Sequence, residues 1–278
     1  MKEIHLTPEQ LRAAQLVQLD ALKEVDRVCR LHDIKYSLTA GTLLGAVRHK
    51  GYIPWDDDAD IIMLRSEYEK FCNIANQIDG LDDDKFYFQD SSNTKGYRWG
   101  YGKIRRKDSL WLRKDQEYMP YGQEIFIDIF PLDALPSGKI KSNLHKFHCF
   151  LIRKMLWSEV GKHTDKNPFI RVLYSVISKI PLQFILKHYH KFAYKHNVEK
   201  NNLLRVLTFP TPPGYTYDLD REWLKSFTEL EFEGHSFKVM IGYESYLLMK
   251  YGNYMKLPPE GERKKHPLSK FKLPEEEI

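Results

Sequence analysis

The sequence predicts an α+β fold: a mixed sheet flanked by helices, interrupted by a helical insert and completed by a C-terminal β-hairpin and helix. Three observations carry this. A capped amphipathic helix opens the chain, and short β-rich runs then alternate with helical segments up to residue 137. A basic, strand-poor stretch follows, and beyond it two strand-like runs meet at a turn near Gly234. The expected organisation is a core over 1–137, a basic helical insert over 138–207 and a C-terminal segment over 208–278. With 42% hydrophobic and 13% aromatic residues in 278, a buried core is affordable and a disordered chain is excluded.

Each element has its own signal. Thr7 can cap the first helix, Pro8 sits where a missing N–H does no harm, and Gln10 completes a capping box. Leu11, Ala14, Leu22, Val25 and Cys29 continue it at helical spacing to about His32. Ile34 to Leu38 reads as a short strand, and Leu43 to Arg48 as a helical turn. A strand is predicted over Ala59–Met63, then a helix from a second capping box, Ser66 and Glu69, to about Ile78. Asp82, Asp83 and Asp84 make a solvated turn. Further strands are predicted at Phe86–Gln89, Tyr97–Arg105, Leu110–Leu112 and Ile125–Phe130, the last ended by Pro131. Thr208 to Asp218 is a Pro-rich loop. The hairpin follows, then a helix over Tyr243–Tyr251 and a polar tail.

The net charge of +5 suits anionic substrates and is too small to argue for nucleic acid, so no nucleic-acid partner is expected. Charge is uneven: residues 139–200 hold thirteen Lys/Arg against three acids. That is either the solvated face of an amphipathic helix pair or a surface for an anionic partner such as a membrane. Three scattered cysteines exclude a disulfide framework and a paired-cysteine zinc site. The first residues hold no apolar signal-like run, and Arg171, Lys179 and Pro181 break the longest apolar stretch. The expected location is cytoplasmic, with peripheral contact to the inner face of the membrane through the insert.

The chemistry centres on Asp56, Asp57, Asp58 and Asp60. A run of acids is commonly a solvated loop, yet these lie between Trp55 and an Ile-Ile-Met-Leu strand. Residues i and i+2 of a strand share a face, so Asp58 and Asp60 can reach one cation, with Asp56 as a third. Mg²⁺, which prefers hard oxygen ligands and substrate phosphates, is the natural guest. Asp57 points elsewhere. Asp128, inside the apolar run FIDIFP, needs compensation for its burial. It reads as a third ligand or general base, with Arg48 or Lys103 as alternative structural partners. Gly41 and Thr42 lie at a strand-to-helix turn suited to phosphate oxygens, and Arg48 and Lys103 can neutralise substrate phosphates. Among the aromatics Trp99, Tyr101, Trp111, Tyr118 and Tyr121, some can stack on a sugar or enclose an ammonium, and others are core.

The stretch GTLLGAVRHKGYIPWDDDADI, Gly41 to Ile61, resembles the signature of the LicD family of phosphorylcholine transferases and related phosphotransferases, which includes the fukutin-related proteins. FIDIFPLD, Phe126 to Asp133, resembles its second acidic strand, and FEGHSFKV with YLLMKYGNYMKLPP its C-terminal signature. The resemblance implies a nucleotidyltransferase-like fold and a Mg²⁺-dependent enzyme. Such an enzyme moves phosphorylcholine or a similar alcohol phosphate from CDP-choline or another CDP-alcohol to a glycan acceptor, free or lipid-linked. It implies Asp58, Asp60 and Asp128 as catalytic carboxylates, with Asp56 joining them at the metal. Gly41, Thr42, Arg48 and Lys103 fall on the substrate side. The cysteine-based zinc element of the fukutin-related enzymes has no counterpart, so no structural zinc is expected. Attachment of a nucleoside monophosphate and glycan binding without catalysis are the rival readings of the same acids.

Overall fold

The computed structural model describes residues 2–77, 80–197, 201–209, 218–263 and 266–274. Most of the Pro-rich loop predicted over 208–218 lies outside them. Helix α1 (Pro8–Leu31) begins with the predicted box: Gln10 N–H donates to Thr7 Oγ1 at 3.2 Å and Thr7 N–H to Gln10 Oε1 at 3.0 Å. Its apolar stripe, including Leu19, Leu22, Val25 and Cys29, enters the main core.

The central sheet is mixed, as expected for α+β. Its strands run in the order β1 (Ser37–Leu38), β2 (Asp60–Leu64), β6 (Phe126–Ala134), β4 (Gly102–Arg106) and β3 (Phe86–Gln89). β2 and β6 are parallel, and the other pairings are antiparallel. A short β7 (Leu203–Arg205) joins the far end of β6, and β8 (Leu219–Asp220) joins β7. Helices α2 (Ala40–His49) and α3 (Arg65–Ala75) follow β1 and β2. The insert forms α4 (Lys139–Thr164), α5 (Pro168–Ile177) and α6 (Leu182–Tyr194), with its own small core around Cys149, Ile152, Leu156 and Ile185.

The C-terminal hairpin of β9 (Phe227–Phe232) and β10 (His235–Met240) turns through Glu233 and Gly234, both left-handed at φ 53° and 75°. Two positive φ values in a two-residue loop match the twist of the strands, which glycine makes easy at the second position. Glu233 then clamps the hairpin to the core, accepting from Arg12 at 2.8 and 2.6 Å and from Tyr52 N–H at 3.0 Å. Helix α7 (Tyr243–Tyr251) matches its predicted range.

Four expectations need correction. Pro131 does not end β6, which continues to Ala134. Pairing with β4 stops at Ile129 and pairing with β7 starts at Asp133, so Pro131 occupies a gap on that edge where no ladder N–H is needed. The strand predicted over Tyr97–Arg105 begins only at Gly102, because the Gly100 carbonyl accepts from Tyr189 of α6 at 2.7 Å instead of joining the ladder. The capping box of Ser66 and Glu69 does not form; β2 passes directly into α3, and Glu69 accepts from Tyr194 instead. The polar tail contains a strand, β11 (Leu268–Lys272), paired with β5 (Leu110–Arg113), and Leu268 and Trp111 are buried there together.

A buried ion pair of the core helps to fasten the insert to the sheet. Arg65 of α3 meets Asp133 of β6 through two bonds of 2.8 and 2.7 Å, with both side chains almost fully buried. Tyr189 of α6 accepts from Arg65 at 3.1 Å, and Asn197 donates to Asp133 at 2.7 Å. Asp133→Ala would strand a buried guanidinium, and is expected to cost about 3–5 kcal/mol in urea denaturation.

Candidate active site

Cross-strand register assembles the site. Asp60 on β2 stands opposite Asp128 on β6, which stands opposite Lys103 on β4. Residues opposite one another share a sheet face, so the three side chains form one row across the centre of the sheet. Lys103 and Asp128 are in direct ion-pair contact, and the Lys103 ammonium lies 3.4 Å from the centroid of the Phe126 ring. Burial pushes the Lys103 ammonium down to about 7, with Asp128 opposing that shift. The structural partner of Asp128 is therefore Lys103; Arg48 does not reach it.

Asp56, Asp57 and Asp58 lie on the loop into β2, and α1 holds that loop from behind. Gln15 Nε2 donates to the Asp56 carbonyl at 2.9 Å, and Gln18 Nε2 to the Asp57 carbonyl at 3.0 Å. Asp57 faces the chain's far end. Its carboxylate accepts from His266 N–H at 2.9 Å and meets His266 Nδ1 at 2.8 Å. Asp58 lies 3.7 Å from the same imidazole. Among the described residues, the ligand atoms of Asp57, Asp58 and His266 gather within 4.8 Å of one another; those of Asp58, Asp60 and Asp128 are not drawn together so closely.

The acids nonetheless feel one another. Burial, then Asp58 and Asp128, hold the Asp60 carboxyl well above the usual carboxylate range, against the pull of Lys250. Burial, then Asp58 and Asp57, raise Asp56 as well. Asp58 is raised by burial and lowered by His266 and Arg113. Buried carboxylates that repel one another are what a divalent cation relieves, and hard oxygen donors suit Mg²⁺. The donor set fits such an ion.

Gly41 and Thr42 shape the acidic loop directly. Both lie in the first turn of α2, where the Thr42 hydroxyl accepts from Asp60 N–H at 2.8 Å and so fixes the start of β2. A side chain on Gly41 would stand 2.3 Å from Asp56 Oδ2, so glycine makes room for that carboxylate. The preceding Ala40 is left-handed at φ 49°, an uncommon state for a residue with a Cβ. Tyr246 of α7 holds this turn, contacting Thr39 Oγ1 at 2.9 Å and Ala40 N–H at 3.3 Å. Arg48 donates to the Tyr254 carbonyl at 2.8 Å, binding α2 to the chain after α7, and lines a cleft shared with Gly41, Trp55 and Asp56.

Two further clefts open beside the row of Asp60, Asp128 and Lys103. One is bounded by Thr39, Ala40, Asp60, Tyr246, Lys250 and Arg205. The other gathers Trp99, Tyr101, Trp111 and Tyr121 with Trp157 of α4, and adds Lys103, Arg105 and Arg113. Of the three cations in its wall, Lys103 is already paired with Asp128, and Arg105 and Arg113 favour an anion. Tyr118 lies outside this cleft, donating to the Glu159 carbonyl at 2.9 Å. Sequence reasoning missed His266, Lys250, Arg113 and the two glutamines. Only Gln15 and Gln18 carried a signal, as amides set within the apolar stripe of α1.

Gly41→Ala is expected to displace the Asp56 carboxylate and cost about 1–3 kcal/mol as an overpacking strain. Thermal denaturation measures this. An unchanged melting temperature would mean that Asp56 does not depend on the glycine.

Comparison with known proteins accords with this geometry. Residues 33–149 match the family model described as LicD/FKTN/FKRP, nucleotidyltransferase domain. The chain is 30% identical over 260 residues to the lipopolysaccharide cholinephosphotransferase LicD of Haemophilus influenzae, covering 92% of this chain and 95% of that one. An uncharacterized protein of Rickettsia typhi is 31% identical over 144 residues, 47% of this chain and 41% of its own. One of Rickettsia prowazekii is 40% identical over 70 residues, 25% and 26%. The match to the Haemophilus protein runs through the core, the insert and the C-terminal segment alike, and the chain is a LicD-like transferase belonging to the LicD family.

Proposed function

We propose that this chain transfers phosphorylcholine, or a closely similar alcohol phosphate, from a CDP-activated donor to a hydroxyl of a lipid-linked glycan such as lipopolysaccharide, releasing CMP. The relative that resembles it over nearly its whole length is named for lipopolysaccharide and choline phosphate, and supports the choice of group and acceptor. The observation that carries the chemistry is the strand register that sets Asp60 opposite Asp128 at the centre of the sheet, with Asp56 and Asp58 on the loop that enters the same strand.

Asp58 and Asp60 would hold Mg²⁺, with Asp128 and Asp56 beside them. When bound, the ion offsets charge developing on the donor phosphates. The acceptor oxygen forms a bond to the phosphorus that carries the alcohol, and the bond from that phosphorus to the bridging oxygen breaks. CMP departs with the bridging oxygen. The hydroxyl proton passes to a carboxylate, a task for Asp128, whose orientation Lys103 secures. The aromatic cleft with Lys103, Arg105 and Arg113 would receive the anionic nucleotide end of the donor, its rings stacking on the base. On this reading the enzyme works at the cytoplasmic face of a membrane.

Asp58→Asn and Asp60→Asn are each expected to lower turnover by a factor on the order of 10³ or more while the far-ultraviolet circular dichroism stays native. The assay incubates the chain with CDP-choline, other CDP-alcohols or nucleoside triphosphates and scores CMP against pyrophosphate. Pyrophosphate as the product would turn the reading to nucleotidyl transfer. A separate readout is thermal. Mg²⁺ at about a hundred times its dissociation constant should stabilise the unsubstituted chain by about 2.7 kcal/mol, and the Asp60→Asn chain by much less.

A further inference from the structure

The helical insert carries a surface that the reaction does not use. On α5, Phe169, Val172, Leu173 and Val176 recur at i, i+3, i+4 and i+7, and all four are exposed, Phe169 to 84%. Such a stripe on a globular protein normally faces the core. Here the core-facing contact is a single residue, Tyr174, which is buried against Gly161 and accepts from Lys154 at 2.9 Å. The N-terminal half of α4 repeats the pattern with Ile140, Leu144, Phe147 and Leu151, again all exposed. Lone exposed apolar residues mean little, whereas two helical stripes on one insert mark an interaction site.

We infer that the apolar stripes of α5 and α4 dock this enzyme onto an anionic bilayer, with α5 lying in the plane of the interface. Charge identifies the occupant. The thirteen Lys/Arg against three acids in residues 139–200 complement anionic headgroups. A second copy of the chain would bring the same excess of positive charge to the contact and be repelled. Length sets the mode. No described helix is long and apolar enough to cross a membrane, although α5 and α6 together pass by composition as a pair bent by 86°. α6 is committed elsewhere, because Ile185, Tyr189, Phe192 and Ala193 pack against α4 and Leu207. The ten residues of α5 reach about 15 Å, half the roughly 30 Å hydrocarbon core. Insertion is therefore shallow, in the manner of an interfacial amphipathic helix.

The inference does not depend on the reaction proposed above. The full chain is sedimented with vesicles of phosphatidylcholine alone and of phosphatidylcholine mixed with phosphatidylglycerol. Binding to the mixed vesicles is expected, declining as salt rises. The double variant Phe169→Ser, Leu173→Ser should bind at least about tenfold more weakly. Its melting temperature should be unchanged, since both side chains are exposed. Arg171→Gln with Lys179→Gln should weaken binding to the mixed vesicles alone. Equal binding by the serine variant, or no binding to either vesicle, overturns the inference. So does an unsubstituted dimer in analytical ultracentrifugation that the serine variant splits, which would make this face a contact between copies. Absent turnover with vesicle binding intact would count against the proposed reaction and leave the docking surface standing.

Discussion

The arrangement of the site depends on register between three strands. Asp60, Asp128 and Lys103 reach one another only because β2, β6 and β4 are aligned so that these three residues are nearest neighbours. A slip of one residue in any pairing would send one of them to the opposite face. Several contacts outside the row prevent that slip. Asp128 N–H donates to the Ala59 carbonyl at 2.8 Å, and Thr42 receives Asp60 N–H from the side of α2. Beyond Ile129, Pro131 forbids a ladder bond on the β4 edge, which marks where β4 must stop and β7 can begin. Lys103 also removes the cost of burying Asp128, so the row is tolerable within an apolar sheet.

Around that row, residues distant in sequence shape the acidic loop. Gln15 and Gln18 take its carbonyls from α1, Gly41 admits the Asp56 carboxylate from α2, and His266 takes Asp57 from the chain's last strand region. Each contact settles one backbone or side-chain direction, and Asp56 and Asp60 are the members that line clefts. The loop keeps a crowded negative charge that its own sequence neighbours would not maintain. α7 adds the balancing cation: Lys250 donates to the Tyr246 hydroxyl at 3.3 Å and opposes the upward shift of Asp60.

Local signals in the sequence were sufficient for much of the fold. The capping box at Thr7, β3, the hairpin turn at Gly234 and the range of α7 all depend on a few neighbouring residues, and they stand as expected. Features decided by distant partners were not legible. Gly100 leaves the ladder because Tyr189 lies above it, Glu69 serves Tyr194 and not a cap, and β11 exists because β5 offers it an edge. The same division applies at the site. Spacing proposed Asp58 and Asp60 as a pair and marked Asp128 as a buried charge needing a partner. It could not choose between Arg48 and Lys103, since only strand register does that. Nor could spacing show that Gly41 and Thr42 serve Asp56 and Asp60, or that three cations share the aromatic cleft. His266 had no local signal at all.

The insert links the two ends of this chemistry. Helix α4 places Trp157 in the aromatic cleft, 5.9 Å from Trp99, and carries an exposed apolar stripe along its first half. Its partner α6 is tied to the sheet through Tyr189, Arg65 and Asp133, and Asp133 lies five residues beyond Asp128 on the same strand. An acceptor anchored in a bilayer can move only in two dimensions, so an enzyme seated on that bilayer meets its hydroxyl within a narrow range of heights. On the docking inferred above, with α5 at the interface and Trp157 in the cleft wall, the length of α4 would set that height. The insert would then do for position across the membrane what strand register does for the carboxylates across the sheet.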